Sequence, residues 1–254
     1  MSQHSANVLV TGGAKRVGRA IVEDLAENGF GVAVHVNRSR AEGERLVADI
    51  RARGGRAALV TGDLTDMAVA ESLVGEAETA LGPMSIVVNN ASVFVDDSAT
   101  DFDWEVWDRH FAIHVKAPVA LGRALAERLP DDGEGLVVNI VDQRVLRPNP
   151  RYFSYALSKS TLWAATRTMA QALAPRIRVN SIGPGPTFAN EKQQPSDFQA
   201  QVDGLILRRG PELAEFGATI RYLWQARSVT GQIVCLDGGQ HLAWETPDVS
   251  GMVE

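Results

Sequence analysis

A single cysteine, Cys235, stands in the 254 residues, so no disulfide can form within the chain and a reducing, cytoplasmic setting is the expectation. No apolar run approaches the ~18 residues needed to span a bilayer. The opening MSQHSANVLVTGG also lacks the basic stretch and run of ~7–15 apolar residues that mark a signal peptide, so none is expected. Cations are not in excess: 25 Lys and Arg face 31 Asp and Glu, and the formal net charge of −6 argues against a nucleic-acid or anionic-membrane surface. HFAIH, which puts His110 and His114 on one helix face, lacks the glutamate of a zinc HExxH and has no evident third ligand, so no metal is expected. Repeats, low-complexity tracts and linker-like shifts are absent, and one domain over 1–254 is expected, with a small molecule as its partner. Around Cys235, IVCLDGG reads as a buried strand with an inert thiol.

What is present alternates. NVLVT (Asn7–Thr11), Val32–Val36, RAALVTGDLTD ending at Asp63 and Leu64, SIVVNNASVF, LVVNIV, Arg176–Ser181 and QIVCLDGG read as strands, with helical patterns after most of them, including one long helix over Asp103–Leu129. Such alternation predicts an α/β fold, a single Rossmann-type doubly wound parallel sheet of about seven strands with helices on both faces. After the first strand, Gly12, Gly13 and Gly18 make a tight turn opening a helix, where free amide hydrogens and the helix dipole face an anion. The acidic residue that usually ends the second strand of an NAD site is missing. His35, Asn37, Arg38 and Ser39 stand there instead, opposite Lys15, Arg16 and Arg19, and guanidinium donors suit a phosphate, so NADPH is expected over NADH. From Thr187 the chain turns polar and aperiodic, and 186–210 reads as a substrate lid; 240–254 reads as a tail that covers the site or reaches a neighbouring subunit.

The stretch LVVNIVDQRVLRPNPRYFSYALSKS, Leu136 to Ser160, organises the rest. Tyr155 and Lys159, four apart, share one helix face, so an ammonium near the phenol is expected to lower its pKa from about 10. Asp142 stands at the end of the preceding strand, where carboxyl ends open on a ligand crevice.

The motifs TGGAKRVG, GDLTD, NNAS, YALSK and IGPGP, in that order, resemble the short-chain dehydrogenase/reductase family over nearly the whole chain. Arg16 stands where the family commonly has a third glycine, Asp142 where it has serine, Ser92 where it has glycine and His114 where it has asparagine. With HxNRS and NNASVF, these departures are similar to the pteridine reductase and dihydromonapterin reductase branch. The resemblance implies an NADPH-dependent reductase sending hydride to a C=N or C=O group of a dihydropterin-like substrate. Catalytic roles fall to Tyr155 as proton donor, Lys159, Asp142 and His114, the last in place of the asparagine that holds a relay water. The implied cofactor contacts are Gly12, Lys15, Arg16 and Val17; His35, Asn37, Arg38 and Ser39; Asp63 and Leu64; Asn90, Ala91 and Ser92; Tyr155 and Lys159; and Pro184, Gly185 and Thr187. Arg16, Ser92, Phe94, Asp142 and Tyr155 are the implied substrate contacts, with Phe94 stacking on the pterin. A homodimer or homotetramer built on the two long helices is implied. Alternatives are a general carbonyl or alcohol oxidoreductase of the same family and a cofactor-binding sensor or structural subunit without catalysis.

Overall fold

Short valine-rich runs become strands buried on both faces, and the amphipathic segments between them become the helices that cover those faces. The computed structural model describes residues 6–189 and 194–245. In chain order these hold β1 (Asn7–Val10), α1 (Arg16–Glu27), β2 (Gly31–Val36), α2 (Arg40–Ala52), β3 (Arg56–Thr61), α3 (Met67–Leu81), β4 (Ile86–Asn89) and α4 (Trp104–Phe111). A π-helical turn (Ala112–Lys116), α5 (Ala117–Arg128), β5 (Gly135–Ile140), α6 (Phe153–Ala172), β6 (Ile177–Pro184), α7 (Pro195–Asp203), α8 (Leu213–Gln225) and β7 (Ile233–Leu236) complete them.

The strands form one parallel seven-stranded sheet in the order β3-β2-β1-β4-β5-β6-β7. Strand side chains alternate between two cores. Val8 and Val10 of β1 pack with Ile21 and Leu25 of α1, Leu46 of α2 and Phe216 and Ile220 of α8. Leu9, on the other face, packs with Leu73 of α3 and Leu121 and Leu125 of α5. Each fully buried Leu, Ile or Phe contributes about 1.5–3 kcal/mol. Because the order reverses between β1 and β4, their carboxyl ends open on a crevice.

Several local features differ from the sequence expectation, beginning with the third strand, which stops at Thr61 rather than at Asp63 and Leu64. The strand expected through Phe94 stops at Asn89, since the Asn90 amide turns to the Thr11 hydroxyl at 2.9 Å. The single helix expected over Asp103–Leu129 carries the π turn in its middle; Pro118 lacks the N–H that would bond the His114 carbonyl in an unbroken α-helix. β7 lies at the sheet edge and is half-buried rather than buried. Within the polar lid region, 195–203 is helix α7, and none of its residues is buried, which explains the absence of an apolar period. Residues 190–193 of that region and 246–254 of the tail lie outside the described residues.

Candidate active site

A cleft of about 920 Å³ lies at the carboxyl ends of the strands. Every residue expected to hold cofactor or substrate lines it, from Gly12 to Thr187, together with Asp142, Tyr155 and Lys159. His114 does not; it is 1% exposed and sits behind the wall.

The glycine turn forms one end. Gly12 has φ 62°, and a Cβ there would come within 3.0 Å of Ala91 Cα, so only glycine fits between β1 and β4. Asn90 Nδ2 donates to the carbonyls of Thr11 (2.8 Å) and Gly12 (3.1 Å), fixing the turn across the crevice. His35 supports it from below: Gly12 N–H donates to Nδ1 at 3.3 Å, leaving Nε2 to donate to the Gly62 carbonyl at 3.1 Å. Burial pushes this imidazole down to about 4, so it stands neutral and holds the turn in shape. Arg16 has φ 51°, the left-handed region where the family's common glycine is free of strain. Its guanidinium lies 5.0 Å from the centre of the Phe188 ring.

The donor set suits a phosphorylated dinucleotide. The first turn of α1 carries no acidic residue and no side-chain cap, which leaves amide hydrogens free for an anion. Asn37, Arg38 and Ser39 line the cleft with no carboxylate among them. Lys15 pairs with Glu42 at 2.8 Å, an exposed contact of the weak kind. Asp63, further along, is held below the usual carboxylate range by the Thr65 amide and hydroxyl, at 2.9 and 2.8 Å from Oδ1.

At the other end stand the phenol and its partners. Tyr155 and Lys159 occupy one face of α6, 6% and 3% exposed. The Tyr155 hydroxyl donates to Asp142 Oδ2 at 3.0 Å, and Lys159 Nζ donates to the Ile140 carbonyl at 2.7 Å, 5.8 Å from the phenol ring centre. The expected lowering of the phenol pKa is reversed: burial first, then the charge and hydrogen bond of Asp142, push it well above 10. Burial brings Lys159 down to about 8. The phenol therefore keeps its proton, as an acid must until a base forms beside it.

An aromatic wall flanks this group. Phe94 stacks on Tyr152 at 4.1 Å and meets the edge of Tyr155 at 4.7 Å, while the Arg144 guanidinium lies 5.8 Å from the Phe94 ring and 5.1 Å from that of Tyr152. Sequence reasoning missed Arg144 and Tyr152. Neither sits in a periodic pattern, and Tyr152 enters α6 from the left-handed region, φ 55°, which no local signal announces.

Cys235, pushed up to about 11 by burial and then by Asp237, remains a thiol. Its sulfur, a carboxylate oxygen of Asp237 and a ring nitrogen of His241 lie within 4.8 Å of one another. Asp237 is already committed there, accepting from Gly239 N at 3.0 Å and from His241 N and Nδ1 at 2.8 and 2.7 Å.

The model of the short chain dehydrogenase family matches residues 6–199. A short-chain type dehydrogenase/reductase of Picea abies is 30% identical over 248 residues, 91% of each chain. Two solved structures are nearer. FolM alternative dihydrofolate reductase 1 from Brucella canis, complexed with NADP, is 57% identical with TM-score 0.94, covering 96% of this chain and 97% of that one. Its counterpart from Brucella suis, also with NADP, is 56% identical with TM-score 0.95, covering 98% and 100%.

Proposed function

The chain belongs to the short-chain dehydrogenase family, and on that premise we propose that it is an NADPH-dependent reductase of a C=N or C=O group in a dihydropterin-like substrate. One observation carries the reading: a protonated phenol bonded to a carboxylate at 3.0 Å, edge-on to an aromatic ring at 4.7 Å, shares one cleft with a basic glycine turn.

The uncapped start of α1, the turn at Gly12 and the donors Asn37, Arg38 and Ser39 would hold the phosphate-bearing end of NADPH, and Asn90, Ala91, Lys159, Pro184, Gly185 and Thr187 line the same cleft. When bound, the cofactor supplies the hydride. Tyr155 holds a proton at its hydroxyl, positioned by Asp142, for the atom that gains charge beside the reduced carbon. Lys159 places a cation behind the phenol, which eases loss of that proton. Asp142 accepts through both oxygens, Oδ1 from Arg144 N–H at 2.9 Å and Oδ2 from Tyr155, and a carboxylate so placed suits the donor edge of an amino-pyrimidine. Phe94, 44% exposed, offers a flat apolar face to a flat ring.

The close relatives named FolM alternative dihydrofolate reductase, both complexed with NADP, support the cofactor and the pterin class. The remaining parts of the reading are a cytoplasmic single-domain protein, 186–210 as lid, and a homodimer or homotetramer. Exposed apolar side chains on the long helices, Trp104, Val119 and Leu157, support the assembly, and light scattering of the eluting protein tests it.

Initial rates of NADPH oxidation with a dihydropterin and with simple ketones test the function. Turnover of dihydropterins is expected. Turnover of ketones alone makes the protein a general carbonyl oxidoreductase, and turnover of neither leaves the sensor reading.

A further inference from the structure

We infer that His110 and His114 form a two-rung ladder to Ser154 and Ser158 that fixes the Phe94 loop against Tyr155, and so sets where the substrate ring lies relative to the proton donor; the inference rests on the reading above.

The first rung begins at the loop. Val93 N–H donates to His114 Nε2 at 3.2 Å and the Ser92 hydroxyl lies 2.9 Å from the same nitrogen, so the ring proton sits on Nδ1. From there it is donated to Ser158 Oγ at 2.8 Å, and that hydroxyl donates to the Tyr155 carbonyl at 2.7 Å. The second rung holds the other end of the loop. Asp97 accepts from the Ser154 hydroxyl and, at 3.1 Å, from the Ser154 amide, so Ser154 Oγ is left to accept from His110 Nδ1 at 2.7 Å. Phe153 N–H adds a bond to the Asp97 carbonyl at 3.3 Å.

Both serines lie on α6, flanking Tyr155, and both histidines lie on the segment that the π turn kinks, their rings stacked with centres 5.6 Å apart. Residues 91–97 carry no helix or strand, so these bonds at either end hold the loop's backbone while Phe94 packs on Tyr152 and Tyr155 between them. His110, His114, Ser154 and Ser158 are at most 1% exposed. Polar groups so deep are costly unless paired, and a pair of apolar side chains could fill the space. What apolar side chains cannot do is bridge a loop amide to a serine. A neutral imidazole can, accepting at one nitrogen and donating at the other. His114 thus acts as the bridging residue, reaching the substrate only through the loop and the helix; His110 bonds Ser154 alone, its Nε2 having no hydrogen-bond partner, and bears on the loop only through the Ser154 hydroxyl that Asp97 accepts from.

The test compares His114→Gln, which can keep an acceptor near the place of Nε2, with His114→Asn, which keeps a donor near Nδ1 but does not reach Val93, and with His114→Ala. In the substrate-free protein, amide hydrogen exchange of 92–97 should be faster in the Asn and Ala variants and close to wild type in the Gln variant. KM for the substrate that the wild type reduces, dihydropterin or ketone, should rise about five- to tenfold in the same two variants. Affinity for NADPH should be unchanged, and kcat should move less than KM. Unchanged exchange in His114→Ala, or faster exchange with KM unaltered, overturns the inference. So does a rise in KM that glutamine fails to relieve and that comes with weaker NADPH binding, since that reports general loosening. A wild type inactive on dihydropterins refutes the substrate reading alone, and the exchange comparison, which needs no substrate, still decides the tether.

Discussion

Tyr155 gives its hydroxyl hydrogen to Asp142 Oδ2 at 3.0 Å, and that one bond ties the proton donor to the residue best placed to recognise a substrate's donor edge. Serine at 142 would still accept from the phenol but would carry no charge. Asp142→Ser is expected to lower kcat/KM for a dihydropterin about 10- to 100-fold, the size of a hydrogen bond to a charged group, and to change ketone reduction much less. Parallel assays on the two substrates check this; equal losses on both would remove Asp142 from substrate recognition.

Lys159, lowered by burial to about 8, is an ammonium below that pH and an amine above it. Since the cation behind the phenol assists proton transfer, kcat/KM should fall as pH rises through about 8. Stability runs the other way. The unfolded chain holds the proton up to 10.5 and the folded one only to about 8, so the unfolded state binds more protons between them and stability rises with pH across that window, by roughly 3 kcal/mol from this group. Urea unfolding of wild type and Lys159→Met at pH 7.5 and 10 should show the rise attributable to this group only in the former.

His35 should make the glycine turn sensitive to acid. Its folded pKa, about 4, lies below the ordinary 6.5, so stability from the neutral ring is present above 6.5 and is lost as pH falls toward 4, again roughly 3 kcal/mol. His35→Gln should flatten that part of the stability curve. An unchanged slope would mean that other groups carry the acid sensitivity.

Arg38 lines the cleft just past the end of β2, beside Asn37 and Ser39. Arg38→Ala is expected to weaken NADPH binding about 10-fold or more and to leave NADH nearly untouched. Titration of both dinucleotides measures it, and an unaltered preference would place the phosphate clamp elsewhere.

Much of this was legible from residue order. Alternating valine-rich runs and glycine punctuation foretell the seven-stranded sheet, and the run from Leu136 to Ser160 foretells a strand, a turn and a helix face carrying Tyr155 and Lys159. The direction of the Tyr155 shift was not legible, because a spacing of four says nothing of burial or of where the ammonium points; here it points to the Ile140 carbonyl. His35 and Asn90 line the cleft, and the sequence did not show that their side chains also bond backbone there, because those contacts join residues 23 to 79 apart. The His110–Ser154 and His114–Ser158 pairs were hidden for the same reason: each spans 44 residues, and the π turn that aligns them leaves no mark in the apolar period.

The proposed chemistry turns on the phenol as proton donor. Turnover of a dihydropterin with NADPH, measured for wild type and Tyr155→Phe with cofactor binding checked in both, tests it most directly. Rates should fall at least about 100-fold in the variant while NADPH binds as before; a variant that reduces substrate at the wild-type rate contradicts the mechanism.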